Sequence, residues 1–207
     1  MLLKERERER ERERGKSKKM ESKIKKRKKG RIEEIIKIPE EIEVLIDREI
    51  KISGKKGEVK KKIFDKKIKI EEKEKKIVIS SKNNTKVQKK RIGSIKAHIK
   101  NMIKGVTEGH FYKLKICASH FPMNVSVEGH KFIVKNFLGE KIPRVLKLKE
   151  KDLIKIEGSE ILIEGIDKEL VAQTAADIEQ LCTIRNRDKR VFQDGIFIIN
   201  KDGKEVK

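Results

Sequence analysis

Three short motifs recur in this chain at a nearly constant spacing. Pro39-Glu-Glu-Ile42-Glu-Val44 matches Pro122-Met-Asn-Val125-Ser-Val127 at a shift of 83 residues. Ile52 and the turn Gly54-Lys-Lys-Gly57 match Val134 and the loop Asn136-Phe-Leu-Gly-Glu-Lys141 at a shift of about 82. Ile77-Val78-Ile79 matches Ile161-Leu162-Ile163 at a shift of 84. An internal period of this kind makes each copy one structural unit, and a unit of roughly 80 residues can bury a small core of its own.

The hydrophobic period changes once within each copy. Ile42, Val44 and Ile46 alternate with polar neighbours, as do Ile50 and Ile52. Val59 and Ile63, Ile68 and Ile70, and Ile77 to Ile79 extend this two-residue period, the mark of strands with one buried face. Val87, Ile92, Ile95, Ile99, Met102, Ile103 and Val106 then fall on one face of a helix, with Thr85 as N-cap and Gly105 as its stop. In the second copy Leu170, Val171, Thr174, Ala175, Ile178, Leu181 and Cys182 form the equivalent stripe. The fold class expected is α+β: two tandem similar domains, each a small antiparallel sheet packed against one main helix, preceded by a charged extension. The boundaries are 1–34 for the extension, 35–118 and 119–199 for the domains, and 200–207 for a tail.

Charge restricts the partner. Among 207 residues, Lys and Arg number 56 and Asp and Glu 34, a net charge of +22. Such an excess opposes compaction and favours a polyanion. No apolar run approaches the roughly 18 residues a spanning helix needs, and the N-terminus is charged from Lys4 onward, so no membrane partner or secretory leader is expected. Glu5 to Arg14 is five Glu-Arg dipeptides, whose attractions at i,i+3 and repulsions at i,i+4 roughly cancel. Lys16 to Arg31 holds ten basic residues and one acid, the composition of a tail that lies on nucleic acid. The first helix adds an outer face of Lys89, Lys90, Lys96, Lys100 and Lys104 with no Glu placed to pair with them along the helix.

With seven Phe, one Tyr and no Trp, and with Phe132 and Phe197 inside apolar alternation, the aromatics read as core. Contact with phosphate and sugar is therefore expected rather than base stacking. Catalytic and cofactor constellations are missing from the pattern. The Gly54–Gly57 turn lacks the spacing of a phosphate-cradling loop, and the four histidines are dispersed. Cys117 and His120 supply two metal ligands where a structural zinc needs four. Cys117 and Cys182, far apart, read as small apolar residues in a reducing compartment. No enzyme, metal or cofactor is expected, and Asp188 and Asp194 read as turn-shaping carboxylates.

The densest local signal is Arg185-Asn-Arg187-Asp-Lys189-Arg190, which follows the second helix and precedes the strand Ile196 to Ile199. One or two cations there would suit the helix dipole; four exceed that need. A stiff loop of arginines fits bidentate contact with phosphates. Asp194-Gly195 reads as the turn that returns the chain to the sheet, with Gly195 presenting the loop. Lys135, Lys141 and Arg144, around the Asn136–Lys141 loop, are the second candidate set for that contact.

The segment from Gln180 to Phe197, QLCTIRNRDKRVFQDGIF, resembles the C-terminal signature of the universal L-six family of large-ribosomal-subunit proteins, in its archaeal and eukaryotic branch, where the eukaryotic member is called L-nine. NMIKGVTEGHFYKLKI, HFPMNV, VKNFLGEK and EGIDKELVAQTAADIEQ are similar to that family in order, so the resemblance spans about Ile36 to Ile199. It implies two similar α+β domains and binding to large-subunit ribosomal RNA, with the second domain near the sarcin–ricin region where translational GTPases dock. It also implies neighbouring ribosomal proteins as partners and a cytoplasmic location in ribosomes. A stand-alone RNA-binding assembly or translation factor is the alternative.

Overall fold

A computed structural model describes residues 32–206 apart from 48, 63–66, 74 and 150–153. The Glu-Arg run, the basic block that follows it and Ile63 lie outside the described residues. The first strand begins at Ile32, inside the span read from sequence as extension. Strands β1 (Ile32–Lys37), β2 (Glu43–Ile46), β3 (Ile50–Gly54), β4 (Gly57–Lys61), β5 (Ile68–Lys73) and β6 (Lys76–Ser81) lead into helix α1 (Lys86–Thr107). Strands β7 (His110–Cys117), β8 (Asn124–Glu128), β9 (Lys131–Lys135), β10 (Arg144–Lys147), β11 (Ile154–Glu157) and β12 (Glu160–Gly165) lead into helix α2 (Lys168–Leu181). Strands β13 (Gly195–Lys201) and β14 (Lys204–Glu205) close the chain.

The strand order repeats. Two three-stranded sheets run β2-β3-β4 and β1-β6-β5; their counterparts run β8-β9-β10 and β11-β12-β7, the latter continued by β13 and β14. Each copy is therefore a first strand, a three-stranded meander, a hairpin that pairs with the first strand, and a helix. The sequence reading foresaw one sheet per copy; each copy builds two. It also left β7 with the first copy, but β7 pairs with β12 on one side and β13 on the other.

Two compact units emerge. One gathers β1, β5, β6 and α1 up to His98. Its buried apolar residues include Ile36, Ile77, Ile79, Ile92 and Ile95. The other takes α1 from Ile99 onward, all later elements, and the segments Glu41–Leu45 and Ile50–Lys61. Its main core joins Leu114 of β7, Phe132 and Val134 of β9, Phe137, Ile161 and Ile163 of β12, and Ile196 of β13 to one face of α2, through Val171, Ala175 and Ile178. The period-two and period-3.6 stripes of the sequence supply those faces, and their removal from water drives the folding.

The N-cap read at Thr85 follows the sequence, and Asp167 caps α2 in the same way. Thr85 Oγ1 accepts from the backbone N–H of Gln88 at 3.3 Å, and Asp167 Oδ1 accepts from that of Glu169 at 2.9 Å. The end of α1 does not. Gly105 lies within the helix, where a Cβ would stand 2.1 Å from the carbonyl oxygen of Ile166. Glycine serves there for close backbone approach, and the chain turns instead at Gly109, whose φ is +83°. Val87, assigned to the apolar stripe, is exposed, and Gln88 is buried in its place. The lysine face is also less free than it read. Lys96 Nζ meets Glu34 at 2.6 Å, and Lys104 Nζ meets Asp202 at 3.0 Å. These carboxylates lie far away in sequence, which spacing along a helix does not reveal.

Candidate nucleic-acid interface

The loop after α2 is stiff for local reasons. Asp188 Oδ1 accepts from the backbone N–H of Arg190 at 2.9 Å, and the Asp188 carbonyl accepts from those of Val191 and Phe192 at 3.2 and 3.0 Å. Asn186 adopts a left-handed φ of 59°, a conformation asparagine tolerates better than most residues. Arg185, Arg187, Lys189 and Arg190 are all exposed on this turn. Arg185, Lys189 and Arg190 make no ion pair among the described residues. The Arg187 guanidinium sits 4.9 Å from the centre of the Phe192 ring, which also stacks on His120 at 4.8 Å. Phe192 is half-buried rather than core. A turn pinned by its own backbone, with unpaired cations outward, can hold several phosphates without ordering long side chains from scratch.

Asp194 anchors the far end of the loop. Its carboxylate is buried and accepts from the backbone N–H groups of Ser119 and His120, from Ser119 Oγ at 3.2 Å, and from His120 Nδ1 at 2.6 Å. Burial alone would push its pKa up; the His120 and Ser119 hydrogen bonds outweigh that and hold it down at about 2. The expectation of a turn-shaping carboxylate holds for Asp188 and Asp194 alike. The partners of Asp194 are 74 and 75 residues away in sequence. No local pattern announces them.

Gly195 departs from its sequence role. It is the first residue of β13, opposite Cys117, and its φ is not positive. A Cβ there would lie 3.0 Å from the outer edge of the Phe197 ring, two residues on along the same face. The glycine makes room for Phe197 instead of shaping a left-handed turn. Phe197 itself is 45% exposed, and Phe111 and Phe121 are exposed too, against the reading of the aromatics as core. Alternation shows that a strand has two faces; it does not show which face is covered.

The second candidate set divides. Lys135 and Lys141 are exposed at either end of a loop held by left-handed Asn136, Leu138 and Gly139. Arg144 is engaged inside the protein. Its guanidinium makes a two-pronged contact with Glu140 at 2.6 and 2.9 Å, donates to the Leu181 carbonyl at 2.6 Å, and lies over Phe137. It thus satisfies a free carbonyl at the end of α2. The Arg144 hydrogen bonds hold the Glu140 carboxyl below the usual range against an opposing push from burial, with help from the Arg187 charge.

A cavity of about 470 Å³ opens beside the cationic turn. Its lining includes Lys189, Phe192 and Phe197, with Cys117 and Cys182 among the remaining wall residues. Burial pushes the Cys182 thiol up to about 11, so it behaves as an apolar wall. Among the described residues no cluster of three or more His, Cys, Asp or Glu could hold a metal, and no helix is long and apolar enough to cross a membrane.

The fold and this surface define a class: a repeated α+β protein whose second helix ends in a stiff cationic turn. Comparison with known proteins narrows the class. The model of the family described as Ribosomal protein L6 matches residues 38–109 and again residues 121–195, and the chain belongs to that family. Each match begins just after one of the topologically equivalent strands β1 and β7. The chain is 43% identical to the large ribosomal subunit protein uL6 of Methanosarcina mazei over 167 residues, covering 80% of this chain and 95% of that protein. It is 43% identical to the uL6 of Aeropyrum pernix over 171 residues, 82% of this chain and 94% of the relative. The uL6 of Methanobrevibacter smithii is 44% identical over 172 residues, 83% and 97% of the two chains.

Proposed function

We propose that this chain is a constituent of the large ribosomal subunit, held in place by ribosomal RNA in the cytoplasm. The observation that carries the RNA contact is the turn Arg185–Arg190, where three cations without ion-pair partners ride on a backbone fixed by Asp188. Arg185, Arg187, Lys189 and Arg190 sit on phosphates, and Asp194 sets the geometry behind them. Lys135 and Lys141 are exposed and offer two further cations for phosphate, while Arg144 acts from within by tying the Asn136–Lys141 loop to the end of α2. The likeness of the C-terminal signature supports a position for the second copy near the sarcin–ricin region, close to where translational GTPases dock, with other ribosomal proteins as neighbours. The strand order supports a division of the copies at Gly109, ahead of β7, in place of the boundary at 118. Sedimentation tests the reading. Tagged chain should remain on large subunits after a high-salt wash, as a constituent does. Release at moderate salt would mark a transient assembly or translation factor.

A further inference from the structure

We infer that the cavity beside the cationic turn receives one unpaired nucleobase of the bound RNA. The inference rests on the RNA reading above and adds a kind of contact that phosphate recognition does not supply. Phe197 is the central observation. A phenylalanine in a strand next to a core is normally covered, yet this ring is 45% exposed and forms part of the cavity wall. Gly195 has no side chain to push that ring aside, since a Cβ there would lie 3.0 Å from its outer edge. Exposed aromatic faces bind bases by stacking, whatever the base.

The rest of the wall suits the same occupant. The volume, about 470 Å³, lies within the range of small-ligand sites and accommodates a flat heteroaromatic ring. Lys189 belongs both to the cavity lining and to the cationic turn, so a base inside leaves its own phosphate beside a cation of that turn. Polar groups for a base edge are present. Gln193 donates its side-chain N–H to the Arg190 carbonyl at 3.3 Å, which leaves its side-chain oxygen to accept. Glu179 and Thr183 add an acceptor and a hydroxyl to the wall. Phe192 contributes differently, because His120 and Arg187 already lie on its ring. An apolar peptide side chain would gain little from this cationic rim, which favours a nucleotide.

Two footprints of the full chain on an in-vitro-transcribed archaeal large-subunit ribosomal RNA separate this inference from the reading beneath it. Hydroxyl-radical cleavage reads the sugar–phosphate contact, and dimethyl sulfate with carbodiimide reads the base edges. Wild type and Phe197→Tyr should protect at least one unpaired base within the backbone footprint. Phe197→Ser should keep the backbone footprint at saturating protein, return that base to its free reactivity, and bind about 5- to 150-fold more weakly, the range for one lost stack. A backbone footprint in which Phe197→Ser changes no base overturns the cavity assignment and leaves the RNA reading standing. No footprint from the wild type overturns both. Loss of the whole footprint in Phe197→Ser, with retention in Phe197→Tyr, makes the ring a structural element and also overturns the assignment.

Discussion

The chain leaves a helix for a strand of the large sheet twice, and the two passages differ. From α1 to β7 the link is Glu108 and Gly109 alone. The N–H groups of both bond to the Lys104 carbonyl, at 2.8 and 3.1 Å, and Lys56 reaches the Glu108 carbonyl. From α2 to β13 the link runs from Cys182 to Asp194, and it carries Arg185, Arg187, Lys189 and Arg190. The short link is held by those hydrogen bonds and by backbone crowding at Gly105, just before it. The long one is held by hydrogen bonds to two carboxylates, Asp188 in its middle and Asp194 at its exit, with its cations left outward. A repeated fold thus varies at this connection, where extra length costs little closure entropy and a rigid scaffold stands behind.

The contrast can be broken most severely at the short link. Gly105→Val puts side-chain atoms where the Ile166 carbonyl already stands 2.1 Å from the Cβ position, and backbone cannot swing aside as a side-chain tip can. It should cost about 3 kcal/mol, the upper end for overpacking, read as a fall in the denaturant midpoint. A loss below about 1 kcal/mol would show that the helix end moves freely and that the link is not crowded.

At the long link the largest effect should come from Asp194→Asn. One carboxylate oxygen and a charge are lost from a buried acceptor of several hydrogen bonds, at about 1–3 kcal/mol. The pH dependence has a definite sign. The folded pKa is depressed to about 2 from an ordinary 3.8, so the stabilisation is complete above about pH 4 and drains away as pH falls towards 2. Asp194→Asn should remove that acid-labile part. If the variant and the wild type lose stability in parallel between pH 4 and 2, Asp194 is not the anchor.

The smallest effect on folding should come from the cations themselves. Replacing Arg185, Lys189 and Arg190 by Ala should change stability by no more than about 0.5 kcal/mol each, as exposed side chains without ion-pair partners do. Arg187→Ala should cost somewhat more, because its guanidinium lies on Phe192. A drop of several kcal/mol on replacing the first three would move them from the binding surface into the structural framework.

Much of this comparison was legible in the chain because it depends on local period. The alternation around Ile50 and Ile52 and the stripe from Val171 to Ile178 specify strand and helix through side-chain burial, and the repeat of motifs set the two-copy plan. What stayed hidden depends on contacts distant in sequence. Gly105 carries the same local signal whether it stops a helix or lets a carbonyl approach, and only Ile166, far along the chain, separates the two. Phe132 and Phe197 look alike by alternation, yet one is fully buried and the other is open. The candidate cations of the turn were found by local density, whereas the inward role of Arg144 required the Leu181 carbonyl, 37 residues on.

The central claim is that the long link binds RNA through its cations, and salt dependence measures this most directly. For the isolated protein–RNA complex, the slope of log K against log salt should become shallower by about 0.7 to 0.9 for each phosphate contact removed. Replacing Arg185, Arg187, Lys189 and Arg190 together by Ala should therefore flatten the slope by roughly 3 while the melting curve keeps its shape. Replacing Lys89, Lys90 and Lys100 on α1 should leave the slope nearly unchanged. An unaltered slope in the fourfold variant, with a shallower one in the α1 variant, would contradict the claim and move the RNA to the first helix.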